Sequence, residues 1–238
     1  MVTDLAAVTE ALARSAVLGL LSQALAYPTE PVVRDLLEED LPFALALADV
    51  LPDEVAGALG DLAAALGEAD APGLEAAYRE RFSHVHPRDC PLYETDHRAS
   101  DVWRQTSVLA DLGGFYRAFG LAESGERADH ASVELEFLHV LAYKTAWALE
   151  RGEREHAERC AEAERAFLAE HVLRWLPDVA ERLRLVGRRS PYAVVGALLA
   201  AVLRAEAERA GLPVAAEEPV GPVEPDGPEE VALCEEPA

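Results

Sequence analysis

The residues with the most chemical potential lie together between Asp129 and Leu141, in the run Asp-His-Ala-Ser-Val-Glu-Leu-Glu-Phe-Leu-His-Val-Leu. On a helix advancing about 100° per residue, Val133, Phe137, Val140, Leu141 and Ala148 share one arc, and Leu135, Leu138, Ala142 and Leu149 cover much of the other side. A helix apolar nearly all round is a buried one. Yet Asp129, His130, Glu134, Glu136 and His139 sit in its first turns, and buried carboxylates and imidazoles need partners. The stretch is either a helix start that caps and pairs its own polar groups, or a site.

Metal chemistry is one reading. Glu136-x-x-His139 has the Glu-x-x-His spacing that puts two ligands on one helix face in di-iron bundles. Glu94-x-x-His97 and Glu153-x-x-His156 share it, and a Glu-rich chain produces such matches by chance. A di-iron centre also needs bare Glu ligands on other core helices, and the apolar N-terminal helix offers only Glu10. A helical-bundle metalloprotein using Glu136 and His139 therefore stands as the alternative, and no metal or cofactor is expected. Asp129 suits the N-cap of the central helix, which leaves His130 unexplained on the apolar arc. No Ser or Cys nucleophile with a plausible base is visible, and no Gly-rich phosphate loop is present. Gly113-Gly114 reads as close helix packing.

Residues 83–97, Ser-His-Val-His-Pro-Arg-Asp-Cys-Pro-Leu-Tyr-Glu-Thr-Asp-His, carry three histidines and two prolines without periodicity. They read as a long loop, and such loops are often functional. Within it, Cys90-Pro91-Leu92-Tyr93-Glu94-Thr95 is either a rigid turn or a preformed surface for a peptide, with Pro fixing the backbone and Tyr93 offering an amphipathic ring.

The elements that must position these residues all read as helices. Spans at 3–26 from a Thr3 cap, 30–49 broken or kinked at Pro42, 53–66 and 72–82 precede the loop. Spans at 99–119, 130–151, 153–170, 171–186 and 190–210 follow it, with stops at Gly120, Gly152 and Gly211. Ala and Leu dominate, aromatic residues make up only 6%, and β-branched residues are scarce, so the class is all-α. The expected architecture is a single multi-helix bundle over 1–211. An acidic, Pro- and Glu-rich tail over 212–238 lacks periodicity and reads as disordered.

Net charge is −23. Nucleic-acid binding and attachment to an anionic membrane are disfavoured, and a basic partner is attracted. Cys90, Cys160 and Cys234 are far apart with no C-x-x-C spacing, which fits a reducing compartment. Ala24-Leu25-Ala26 mimics a cleavage site, but Asp4 and Glu10 outweigh Arg14 where a signal peptide is positive. No apolar run is expected to reach transmembrane length.

Several segments together resemble the TorD/DmsD/NarJ family of molybdoenzyme chaperones. They are Leu20 to Pro28, Tyr78 to Phe82, Cys90 to Thr95, Gly114 to Leu121, Asp129-His130 leading to Glu134-Leu135-Glu136-Phe137, and Phe167 to His171 with Trp175. They follow the family's order over about residues 14–200. The resemblance implies an all-helical cytoplasmic protein without catalytic turnover, as a monomer or homodimer. It would bind the apoprotein of a DMSO-reductase-type enzyme, or its twin-arginine leader, and hold it for cofactor insertion before export. Family positions lining the leader-binding region carry over to Pro91, Tyr93, Asp129 and His130. Glu94 and Glu134 join them as carboxylates that suit guanidinium groups. Many relatives have Pro-Pro or Pro-Trp where this chain has Pro91-Leu92-Tyr93.

Overall fold

Two helices, each apolar on most sides, lie along one another at the centre of the protein: α1 (Leu5–Leu25) and α8 (Ala131–Glu150). In α1, Leu18, Leu20, Leu21 and Leu25 have no exposed surface, and in α8 the same holds for Leu135, Leu138, Leu141 and Ala142. Buried leucines on several faces require neighbours on several sides. The close approach depends on Gly19, where a Cβ would come within 2.9 Å of the His139 ring on α8. The computed structural model describes residues 4–67, 69–82, 90–98, 102–122, 125–185 and 190–213. Their regular structure is helical apart from one isolated bridge. The tail expected to be disordered lies, from residue 214 on, outside the described residues.

The other helices are α2 (Glu30–Asp35), α3 (Leu41–Ala46), α4 (Asp53–Leu66), α5 (Ala71–Phe82), α6 (Glu94–Arg98), α7 (Val102–Ala118), α9 (Arg154–Glu170), α10 (Leu176–Leu185) and α11 (Pro191–Ala210). α9 packs on α8, α11 packs on α4 and α10, and α1 touches both groups. The all-α reading is borne out, with corrections in detail. Asp4 caps α1, its carboxylate accepting from the Ala7 N–H at 3.2 Å. Pro42 does not break the chain by itself: a wider π turn over Leu36–Asp40 precedes it, and α3 restarts with the proline in its first turn, where no N–H is needed. Gly113 is buried, but Gly114 faces open space. The glycine that α10 and α11 require is Gly196, where a Cβ would meet the Ala180 carbonyl oxygen at 2.8 Å and Leu183 Cβ at 2.6 Å. The length expectation also changes, since α1 is long and apolar enough to cross a membrane, with mean hydropathy 1.4. Here its apolar surface is spent on α8 and the core.

Aromatic rings fill the space between α7, α8 and α9. Phe137 and Phe167 lie 4.7 Å apart, with Phe115, Tyr116 and Phe119 edge-on or tilted around them. A second feature had no sequence signature. Arg14 of α1 donates to Glu206 of α11 at 2.7 and 2.6 Å and also pairs with Glu164 of α9. Arg209 closes the network at 2.9 Å from Glu164 and 3.0 Å from Glu206. Burial opposes the charge on Arg14, but the two carboxylates outweigh it and raise its pKa. Burial likewise works against the Glu206 carboxylate, but Arg14 and Arg209 hold its pKa below the usual value.

Truncating one member of such a network leaves its partners charged and dry. Arg14→Ala is expected to cost about 3–5 kcal/mol, read as a lower denaturation midpoint. Gly196→Ala should cost about 1–3 kcal/mol by overpacking, seen as a lower Tm with unchanged helicity.

Candidate functional site

The loop meets the start of α8 through a short antiparallel pairing. The Glu94 N–H donates to the Asp129 carbonyl and the Ala131 N–H to the Leu92 carbonyl, both at 2.9 Å, framing a bridge between Tyr93 and His130. Extended backbone alternates its side chains. Accordingly Cys90 and Leu92 point into the core, while Pro91 and Tyr93 stay partly exposed. Burial pushes the Cys90 thiol up to about 11, so it is an apolar anchor, with its sulfur 4.0 Å from the Val179 carbonyl. The chain then turns into α6, so residues 94–98 are helix where a loop was expected. His97 Nε2 donates back to the Pro91 carbonyl at 2.9 Å.

Asp129 does not cap α8. His130 does, its Nδ1 accepting from the Ser132 N–H at 3.2 Å and lying 2.7 Å from Ser132 Oγ. Because Nδ1 accepts a backbone donor, the neutral ring carries its proton on Nε2. The Ser–His contact is thus part of the cap. Burial lowers the His130 pKa against the opposing pull of Glu126 and Asp129. Freed from α8, the Asp129 carboxylate reaches across to α6. Its Oδ2 accepts from Thr95 Oγ1 at 2.7 Å and from the Thr95 N–H at 3.3 Å, inside the first turn of that helix. Arg127 Nη2 donates to the same Oδ2 at 2.9 Å and to Thr95 Oγ1 at 3.0 Å. The guanidinium lies 4.5 Å over the Tyr93 ring, whose hydroxyl donates to Glu126 at 3.2 Å. Tyr93 and His130 meet edge-on at 5.0 Å. Tyr116 holds the approach segment, donating to the Ala128 carbonyl at 2.7 Å.

Glu94 and Glu134 lie beneath this corner with no exposed surface. Glu94 pairs with Arg98 and accepts from His171 Nδ1 at 2.9 Å. Glu134 Oε2 accepts from the Trp175 indole at 3.0 Å, and its Oε1 has no hydrogen-bond partner. Burial first, then the charge of Glu94, raises the Glu134 pKa well above the usual carboxylate range, and the Trp175 hydrogen bond only partly opposes this.

The fold therefore brings Pro91, Tyr93, Glu94, Asp129 and His130 together. Glu134 lies one turn further in and below the surface, not on the wall of a groove. Glu126 and Arg127, which form the exposed rim, were missed because they fall in a polar connection without periodicity. Thr95, His171 and Trp175 stood inside the family-like segments, but nothing in their spacing showed that they meet. Glu136 and His139 do not converge: Glu136 is exposed, and His139 is 2.8 Å from the Ser15 carbonyl and 3.0 Å from its hydroxyl on α1. Glu153 and His156 form a surface pair at 2.9 Å. A cavity of about 300 Å³ between α1, α4 and α11, walled by Val17, Val55, Val202 and Arg14, shares no residue with the corner. Three potential metal ligands, Asp111, Glu170 and His171, do come together beside Glu94.

Against known proteins, the family model "Nitrate reductase delta subunit" matches residues 48–181, more than half of the chain and including the whole corner. The chain belongs to that family. Among curated relatives of this delta family, the chain is 37% identical to the selenate reductase assembly chaperone protein of Thauera selenatis over 142 residues, 58% of this chain and 70% of that one. It is 32% identical to the chlorate reductase assembly chaperone protein of Ideonella dechloratans over 123 residues, 50% of this chain and 61% of that one. It is 37% identical to the perchlorate reductase assembly chaperone protein of Dechloromonas aromatica (strain RCB) over 91 residues, 37% of this chain and 39% of that one. The chain thus spans less than two thirds of the length of two of these relatives. The delta-family match agrees with the TorD/DmsD/NarJ resemblance drawn from the sequence.

Two pH effects follow. Glu134 binds its proton more tightly when folded, so its contribution is complete below the ordinary value of 4.5 and fades as pH rises through the raised folded value. Glu134→Gln, which keeps the acceptor for Trp175, should match or exceed the parent Tm at neutral pH and remove this part of the pH dependence. Glu134→Ala strands the indole N–H and should cost about 1–3 kcal/mol. His130 has the opposite sign: its contribution is present above 6.5 and is lost as pH falls through the depressed folded value. Thermal melts across this range check both.

Proposed function

We propose that this delta-family protein is an assembly chaperone without catalytic turnover. It binds the apoprotein of a molybdenum-containing reductase catalytic subunit, or its twin-arginine leader, in the cytoplasm, and holds it for cofactor insertion before export. The observation that carries the reading is the likeness to relatives named as selenate, chlorate and perchlorate reductase assembly chaperones. The charge of −23 supports it, since an acidic surface draws a basic segment. The burial of α1 against α8 supports its role as a core helix rather than an anchor.

The corner supplies recognition chemistry that fits such a client. Arg127 already demonstrates how a guanidinium sits there, over Tyr93 and against Asp129 and Thr95. A leader arginine takes that seat by displacing the half-exposed Arg127, which swings out to solvent or to Glu126. Pro91 and Tyr93 offer the apolar contact. Glu94, Asp129, His130 and Glu134 are buried, so they act by fixing the loop against α8. The carboxylate of Asp129 is the one that also reaches the guanidinium.

Calorimetry with a twin-arginine leader peptide and with the apoprotein of a molybdenum-containing reductase from the same organism tests this. Tyr93→Ala and Asp129→Asn should weaken binding by at least about tenfold with unchanged helicity by circular dichroism. Absence of binding to either client form would sink the function, and unaltered affinity in both variants would sink the site.

A further inference from the structure

His171 is 2% exposed, and its Nε2 has no hydrogen-bond partner. Its other nitrogen, Nδ1, lies 2.9 Å from Glu94 Oε2. Glu94 is also paired with Arg98, so Nδ1 donates its N–H to Glu94, and Nε2 is the ring nitrogen left for another group. Nε2 faces a further acceptor, Asp111 Oδ2, at 3.3 Å. Glu170 completes the set: one ligand atom from each of Asp111, Glu170 and His171 lies within 4.8 Å of the other two. Three groups that can each give an electron pair converge on one point, and a cation between them, a proton or a metal ion, relieves their repulsion.

We propose that Asp111, Glu170 and His171 bind a divalent transition-metal ion of the zinc class. One imidazole and two carboxylates suit such an ion, and a tetrahedral zinc with bonds of about 2.0–2.1 Å sets its ligand atoms about 3.4 Å apart. The separation of His171 from Asp111 meets that spacing. Metal-bound histidines commonly donate their other N–H to a carboxylate, which fixes the tautomer and strengthens the ligand, and Glu94 stands in that position. The ring is also held in place by Phe115, edge-on at 5.6 Å, and Phe167 at 5.2 Å. Asp111 and Glu170 are exposed, so an ion enters from solvent and keeps water in its remaining position. Two cations lie near: Arg98 is turned toward Glu94 and the Glu170 carbonyl oxygen, the latter at 2.9 Å, and Arg174 toward the Ala169 carbonyl oxygen at 3.0 Å. The ion would tie α7, through Asp111, to the end of α9, and would touch the corner only through Glu94.

The test is titration of zinc(II) alone into the full, chelator-treated chain by calorimetry, with thermal melts in parallel. One equivalent should bind and raise Tm. Asp111→Asn and Glu170→Gln, both at exposed positions that leave the core intact, should each weaken binding by at least about tenfold, and His171→Gln should abolish it. If the parent chain binds no zinc, the proposal is overturned. It is equally overturned if Asp111→Asn and Glu170→Gln bind zinc with unchanged affinity and stoichiometry, as an ion resting on the surface pair Glu153–His156 would.

Discussion

Three carboxylates with no exposed surface, Glu94, Asp129 and Glu134, meet where the loop joins the central helix, and their need for partners sets much of the local structure. An unpaired buried carboxylate costs several kcal/mol. Each here finds a different remedy. Asp129 takes the hydroxyl and N–H of Thr95 and the guanidinium of Arg127. Glu94 takes Arg98 and His171. Glu134, buried and next to the charge of Glu94, binds a proton more tightly than an ordinary carboxylate. Those partners come from α6, the segment before α8 and the turn after α9, so the polar groups tie the loop to the bundle at one depth and in one register.

This arrangement explains why a recognition surface can be preformed at that point. The exposed and half-exposed components, Pro91, Tyr93, Glu126 and Arg127, contact mainly one another and the residues directly beneath them. Beneath them lies a backbone fixed by two bridge hydrogen bonds and a carboxylate shared between two segments. Binding to a fixed surface loses less conformational entropy than ordering a loose one. Arg127, lying on Tyr93 and Asp129, satisfies that surface within the chain itself.

The polar network on the far side works differently. Arg14, Glu164, Glu206 and Arg209 join α1, α9 and α11, and each ion is matched by another. Such a network favours one arrangement of helices over others more than it adds net stability. It complements the leucine contacts of α1 and α8, which are strong but non-directional.

Helical class, the limits of most helices and the glycine stops at 120, 152 and 211 were legible from the chain alone, because they depend on local periodicity and on backbone conformations that few residues adopt. Gly211 shows this directly: it ends α11 at φ 64°, a region open to glycine and strained for most other residues. The apolar character of residues 131–149 likewise announced a buried helix. What local pattern could not decide was the partner of each polar residue. Asp129 was suited to cap the helix that follows it, yet His130 took that role, and the carboxylate went to a helix more than thirty positions earlier in the chain. Glu136 and His139 shared a helix face by spacing, but the neighbour that each meets is set by where α1 lies. Glu170 and His171 stood in a family-like segment, but no spacing tied them to Asp111. A hydrogen bond or an ion pair is satisfied by whichever group the packing of distant segments brings within about 3 Å, and that is decided only when the helices close on one another.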